Sequence, residues 1–282
     1  MFFTQNIFSF ARPNFSLMVI IRLSKMVLFR AVVISVCLLI SALQTKAQQD
    51  NSRSINFVSG GATATNNGIS LLPTFSLGKP ALIFDLATGN NRLSFEPQFR
   101  FSMEGRPWVF LFWWRYKFVQ SEKFKLTAGV HPAFVFNDIP AAATGVPQDA
   151  QISKTYLAGD FAPNYFIRKN ISVGIYYLHS SGFMQGAVRN TNFITVNANF
   201  TNIKLSDNFY AKFNPQLYYL RMDDRGGYYV TATVTLAKKD FPLSVQSIIN
   251  QAIQTELVAK HNFVWNLSLV YSFRKNFTVK PM

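Results

Sequence analysis

Apolar and polar residues alternate along most of the chain, segment after segment. "RLSFEPQFRFS" (Arg92–Ser102) places Leu93, Phe95, Phe99 and Phe101 on one face and Glu96, Gln98 and Arg100 on the other. "PWVFLFWWRYKF" (Pro107–Phe118) groups Trp108, Phe110, Phe112, Trp114, Tyr116 and Phe118 opposite Arg115 and Lys117. "KFKLTAGVHPAFVF" (Lys123–Phe136) sets Phe124, Leu126, Val130, Phe134 and Phe136 against Lys125 and His131. "GYYVTATVTL" (Gly227–Leu236) sets Tyr228, Val230, Ala232, Val234 and Leu236 against Tyr229 and three threonines. A period of two residues predicts β-strands with two unlike faces.

About twelve such segments can be read, near 69–77, 80–87, 92–102, 107–118, 123–137, 154–167, 170–181, 190–200, 207–221, 226–238, 241–250 and 262–273. Each is close to the ~10 residues that a tilted membrane strand needs. Lys, Arg, Asp and Glu are absent from all twelve apolar faces. A soluble sandwich also alternates, but its core-facing stripes seldom carry so many rings. The last segment, "HNFVWNLSLVYSF" (His261–Phe273), shows the contrast plainly: Phe263, Trp265, Leu267, Leu269, Tyr271 and Phe273 alternate with mostly Asn, Ser and Val. The pattern predicts an all-β fold, a closed antiparallel transmembrane β-barrel of about twelve strands with rings toward lipid. Closure removes the strand edges that hydrocarbon cannot hydrate.

The connections give an independent sign. After the fourth, sixth, eighth and tenth segments they read "QSEK", "RKN", "KLSDN" and "KKD", short and mostly basic. After the fifth, seventh and eleventh they are longer: Asp138–Ser153, Gly182–Arg189 and Gln251–His261. Short turns on one side and long loops on the other suit an even-stranded barrel with both termini in the periplasm.

The start of the chain supplies the route. "AVVISVCLLISA" (Ala31–Ala42) follows Arg22, Lys25 and Arg30 and precedes "TKA" (Thr45–Ala47). A basic start, a short apolar run and a small-x-small exit predict a secretory signal peptide over 1–47, cleaved after Ala47. The run is short of the ~20 residues of a spanning helix. Met26 would begin a signal of ordinary length, so Met1–Lys25 reads as an over-long start or as a genuine extension. Cys37, the single cysteine, lies inside the apolar run after Val36, which does not suit lipidation. The exported chain then has no thiol, disulfide or Cys-bound metal. The division that results is 1–47 signal peptide, 48–66 short polar segment and 67–282 barrel.

Five of the 28 basic residues precede Gln48 and no acid does, which leaves the exported chain at 23 against 13, or +10. Such a balance can suit nucleic acid, but an exported chain rarely meets it, and anionic lipid head groups or sugars fit better. The aromatic content of 16% suits a membrane protein.

Together the signal, the alternation and the aromatic-rich last strand resemble an outer-membrane β-barrel of a Gram-negative bacterium. The resemblance implies outer-membrane lipids as surroundings and an aromatic closing strand as insertion signal. Here "RKNFTVKPM" follows Phe273, so that signal is not strictly terminal. Pro73, Pro97, Pro132, Pro163 and Pro215 fall inside predicted strands at outward parity. Proline forfeits a ladder hydrogen bond, and the recurring proline-x-aromatic form suggests a repeated bulge or strand-end device.

On the lumen face stand Asp85, Glu96, Arg100, Arg115, Lys117, Lys125, His131, Asp160 and Lys212. They could line a pore for an anionic solute, or pair with one another across a narrow, filled interior; the second is the plainer expectation. His131, His179 and His261 lie on separate segments without ligand spacing, so no metal site is expected. Nor does a Gly-rich phosphate loop open a helix. No cofactor is expected.

One constellation is sharper. In "YLHSSGF…RNTNF" (Tyr177–Phe183 and Arg189–Phe193), His179 and Ser181 continue the outward stripe of Ile171, Val173, Ile175 and Tyr177. Asn192 shares the outward parity of Ile194, Val196 and Phe200 on the next segment. Serine becomes a useful nucleophile when an oriented imidazole takes its proton. This set resembles the outer-membrane phospholipase A family, whose pattern is His-x-Ser-Asn-Gly with a later Asn. The resemblance implies Ser181 as nucleophile, His179 as base and Asn192 as orienting group, with calcium as that family's cofactor. Gly182 stands where the family has Asn, and Phe183 where it has Gly. His-x-Ser also occurs in lipid A deacylases, but no carboxylate lies nearby to complete that version. Polar residues at strand ends in the interface are also ordinary girdle chemistry.

The reading is a non-enzymatic outer-membrane barrel, a narrow channel or a structural, surface-exposed protein. The alternative is an outer-membrane phospholipase-type serine hydrolase, and a third is surface binding by Asp138–Ser153 and Gln251–His261. A small solute and outer-membrane lipids are the expected partners. Nucleic acid is not, and a monomer is expected with a dimer left open.

Overall fold

The computed structural model of the protein describes residues 55–70, 75–139, 150–257 and 261–278. The segment read as signal peptide, with Cys37 and the cleavage site after Ala47, lies outside the described residues, as does Pro73. The described residues all belong to one compact unit.

Its strands are β1 (Ile55–Thr65), β2 (Ala81–Gly89), β3 (Leu93–Ser102), β4 (Pro107–Gln120), β5 (Phe124–Asp138), β6 (Gln151–Arg168) and β7 (Ile171–Gly182). After them come β8 (Asn190–Lys204), β9 (Phe209–Met222), β10 (Arg225–Lys238), β11 (Leu243–Thr255), β12 (Phe263–Trp265) and β13 (Ser268–Thr278). Each strand from β1 to β11 pairs antiparallel with the next, and β13 closes the ring between β11 and β1. Twelve strands make the closed barrel, and β12 pairs with β11 alone. It runs in line with β13 along the same strand, Gln251 facing Phe263 and Leu243 facing Tyr271. Buried Asn266 makes the interruption, accepting the Ile248 amide on Oδ1 at 2.8 Å and donating from Nδ2 to the carbonyl of Asn67 at 3.2 Å.

The closure corrects one expectation. Strand one is Ile55–Thr65, inside the stretch read as a short polar segment, rather than a strand at 69–77. Its outward positions are Val58, Gly60, Ala62 and Ala64, which leave almost no apolar stripe to read. Phe273, opposite Gly60 in register, supplies the missing bulk: a Cβ on Gly60 would sit 2.8 Å from its ring. An aromatic side chain laid over a strand glycine covers the backbone that glycine exposes. The described apolar residues of that stretch, Ile69, Phe75 and Leu77, turn inward instead. Ile69 is buried, the Phe75 ring packs edge-on to Tyr156 at 5.7 Å, and its carbonyl accepts from Trp108 Nε1 at 2.9 Å.

Outside, the stripes lie where the alternation puts them. Trp114, Val130, Leu157, Phe161, Tyr165, Ile175, Val196, Leu217, Val230, Leu269 and Tyr271 are all exposed. So large a continuous apolar surface is incompatible with water and fits a bilayer. Trp108 departs from its stripe. A register shift between Arg100 and Phe101 against β4 turns both Trp108 and Val109 inward, where each is buried.

The prolines are accommodated without bulges, which corrects the expected device. Beside each of the four described, one ladder omits two consecutive pairs and resumes in unchanged register. Pro97 opens the β2–β3 ladder between Asp85–Gln98 and Thr88–Phe95. Pro132 does so in β4–β5, Pro163 in β6–β7 and Pro215 in β8–β9. On its other side each proline keeps a paired neighbour: Phe112, Leu157, Leu126 and Ala232 respectively.

Turns 90–92, 121–123, 169–170, 205–208 and 239–242 are short, and the longer links 66–80, 139–150, 183–189 and 256–262 lie at the opposite end. The links 103–106 and 223–224, also short, share the end of the longer ones. Barrels of the outer membrane keep their shorter turns in the periplasm, and on that premise the end with the longer links is the outer one.

Candidate functional site

Two places carry chemistry: the lumen, and the outer rim of β7 and β8. The lumen is less polar than its faces suggested. In its outer half Trp113, Leu178, Phe193, Tyr218, Leu220 and Tyr229 form a buried cluster reaching across from β4 to β10. Tyr218 and Tyr229 stack at 4.9 Å, and Tyr218 takes a 2.7 Å hydrogen bond from Asn250 Nδ2. A second cluster around Trp108, Val109, Ala133, Val135 and Tyr156 packs against Phe75 and Leu77. Those strands are apolar on both faces at their outer ends, as in "YYLHS" and "LYYLRM", and so pack like a protein core.

Below these clusters the charged residues pair. Arg115 on β4 is the hub: its Nε lies 3.0 Å from Glu96 on β3 and its Nη1 2.5 Å from Asp160 on β6. Its guanidinium lies 4.0 Å above the Trp113 ring, and Trp113 contacts the His131 ring at 3.6 Å. Glu96 also accepts from Ser94 at 2.7 Å. A neighbouring chain runs from Asp85 to Gln98, and Arg100 Nε donates to Gln98 Oε1 at 2.7 Å. Six of the nine lumen residues named from the sequence thus meet in one layer: Asp85, Glu96, Arg100, Arg115, His131 and Asp160. Lys117, Lys125 and Lys212 stand apart from it toward the periplasmic end. Lys117 and Arg274 flank buried Phe57, and Lys125 lies 4.7 Å over Phe166.

Cavities run past this layer. One of about 270 Å³ lies above Arg115, bounded by Phe75, Arg100, Trp113, His131, Tyr156 and Leu178. Two lie below it and share Arg115 with the first. One of about 480 Å³ touches Ser59, Asp85, Glu96 and Ser272, and one of about 410 Å³ touches Asn164, Thr195, Asn197, Asn199, Asn214 and Gln216. At the mouth a cavity of about 160 Å³ shares Phe75 and Val135 with the upper one. The carboxamides went unnoticed in the sequence, although "NANFTN" and "NPQ" repeat Asn and Gln at inward parity.

At the rim, the three residues singled out on β7 and β8 are together. His179 and Asn192 are directly opposite in register. His179 Nδ1 lies 3.1 Å from Asn192 Oδ1, and Ser181 Oγ lies 3.4 Å from His179 Nε2. Because Asn192 Oδ1 can only accept, Nδ1 carries the proton and Nε2 is left to accept from the serine. Tyr177 donates to the same Oδ1 at 2.8 Å. All four side chains face outward near the outer end of the barrel. The amides after the serine are committed elsewhere: Gly182 N–H donates to the carbonyl of Arg189 and Phe183 N–H to that of Thr155, both at 3.2 Å. An acyl-transfer site needs donors aimed at the developing oxyanion, and those two do not supply them. Among the described residues no group of three His, Cys, Asp or Glu side chains converges as a metal site.

No protein-family model and no curated protein matches the chain. Solved structures do share its barrel. A KdgM porin matches at 11% identity with a TM-score of 0.48, covering 76% of this chain and 99% of that one. A NanC porin matches at 11% and 0.42, covering 77% and 97%. OmpT of Vibrio cholerae matches at 8% and 0.39, covering 79% and 100%. Likeness at this level is one of barrel architecture.

Proposed function

We propose that the barrel works as a narrow outer-membrane channel for a small solute, without catalysis of its own. The observation that carries this reading is the succession of cavities meeting at Arg115. Small-molecule sites occupy roughly 300–1,000 Å³, and the two lower cavities fall in that range. Above Arg115 the cavities are smaller, about 270 Å³ beside Trp113, His131 and Tyr156 and about 160 Å³ beside Phe75 and Val135. Arg115 is held between two carboxylates, so the constriction is a fixed polar gap rather than a free cation. The test is single-channel recording of the purified chain in planar bilayers. Small, discrete conductance steps are expected, and their absence from heat-modifiable, inserted barrels overturns the channel.

A second reading rests on the hydrogen-bonded line Ser181–His179–Asn192, which has the residue types and order of a serine hydrolase facing the outer leaflet. A Ser–His separation of 3.4 Å is within what a site without substrate shows. Wild-type chain and Ser181→Ala, assayed on phospholipid vesicles, decide it. Hydrolysis lost in the variant while its barrel migration is kept supports the enzyme; equal inactivity of both ends it.

A further inference from the structure

We infer that the lower lumen cavity against β6, β8 and β9 is a binding site for an uncharged, hydroxyl-rich solute of mono- or disaccharide size. The inference deepens the channel reading and rests on it for how the solute arrives.

Five carboxamides line this cavity of about 410 Å³: Asn164, Asn197, Asn199, Asn214 and Gln216. They come from three strands, and four of them form a chain. Gln216 Nε2 donates to Asn214 Oδ1 at 2.5 Å, Asn214 Nδ2 to Asn199 Oδ1 at 2.7 Å, and Asn199 Nδ2 to Asn197 Oδ1 at 3.1 Å. The chain fixes each amide's orientation and leaves its two ends unspent: Asn197 Nδ2 as donor and Gln216 Oε1 as acceptor have no partner among the described residues. A carboxamide presents a donor and an acceptor without charge. A line of them, held rigid by one another, matches a molecule that offers both in alternation, as sugar hydroxyls do.

The charges around the cavity point the same way. Arg115 forms part of its lining but is already held by Glu96 and Asp160, so it offers an anion no free charge. The ring of Tyr176 adds an apolar wall. Lys117 and Arg274, which flank Phe57, are not among the residues that line the cavity. A polar lining with one apolar plate is the usual composition of a small-molecule pocket.

The experiment uses the full exported chain with maltose and glucuronate as probes. Maltose is read as interruptions of ion current in planar bilayers and, independently, by saturation-transfer NMR on the folded chain in micelles. Asn197→Asp replaces the free donor with an acceptor at unchanged shape, and Gln216→Met removes the free acceptor. Loss of one neutral hydrogen bond weakens binding by up to about tenfold. A loss of that order in each variant, read against that variant's own open-channel current and repeated in the transfer signal, is the expected result. Conductance that maltose never interrupts, with no transfer signal, overturns the site and leaves the channel standing. A maltose transfer signal on a barrel that never conducts overturns the channel and leaves the site. Glucuronate interrupting the current more strongly than maltose overturns the uncharged class.

Discussion

The Oδ1 of Asn192 lies 3.1 Å from Nδ1 of His179, directly across the β7–β8 ladder. This fixes the tautomer of an imidazole whose other nitrogen faces Ser181. ¹⁵N NMR of His179 should show Nδ1 protonated and Nε2 bare. Asn192→Leu removes the acceptor and should return the ring to a mixture of tautomers. An unchanged spectrum would mean that the contact does not orient the ring, and the hydrolase reading would lose its base.

Arg115 holds two carboxylates, and Asp160 has no side-chain exposure at all. Arg115→Met leaves those charges without their partner, and breaking a buried ion pair from one side costs about 3–5 kcal/mol. Glu96 is partly exposed, so most of the cost falls on Asp160. The variant should unfold at clearly lower urea, and adding Asp160→Asn should recover most of the loss. Failure of that second change to rescue would show that Arg115 acts through its packing on Trp113.

Phe193 is fully buried in the outer lumen cluster, 5.0 Å from Tyr218 and 6.0 Å from Tyr176. Phe193→Ala should destabilise by about 3–5 kcal/mol. It also opens space beside the constriction, so unit conductance should rise. Loss of stability with unchanged conductance would show that the current bypasses this cluster.

The lipid side should be equally unforgiving of charge. Ile175 is exposed near the middle of β7, opposite Val196. Arginine at the bilayer midplane costs about 2–4 kcal/mol in such barrels. Ile175→Arg should lower folding stability in vesicles by that order, and a neutral effect would place residue 175 outside the hydrocarbon.

These contrasts explain what the sequence shows and what it hides. Outward stripes are legible because lipid demands apolar residues at every second position, as along Phe263, Trp265, Leu267, Leu269 and Tyr271. β1 escapes notice because its outward side chains are small and Phe273 covers Gly60 from the neighbouring strand. Leu178, Phe193 and Leu220 are hidden as lumen residues because a strand apolar on both faces shows no alternation. Trp108 is misplaced by a bulge, which no local pattern announces. The rim triad is legible because parity and one hairpin connection suffice to bring His179, Ser181 and Asn192 together. The commitment of the Gly182 and Phe183 amides is not legible, since it depends on Thr155 and Arg189.

Orientation remains the premise of every statement about inner and outer leaflets, and it can be read directly. The exported chain is predicted to lack thiols, Cys37 being in the signal segment, so single cysteines report without background. Gln185 lies exposed in the link 183–189, and Lys169 lies exposed in the turn 169–170 at the opposite end of β7. With a membrane-impermeant maleimide on intact cells, Gln185→Cys should label and Lys169→Cys should not. After permeabilisation both should label. The reverse pattern would turn the barrel over, putting His179 and Ser181 at the periplasmic leaflet and the carboxamide cavity toward the cell exterior. The loop lengths argue for the first outcome, because barrels of this kind keep short turns in the periplasm.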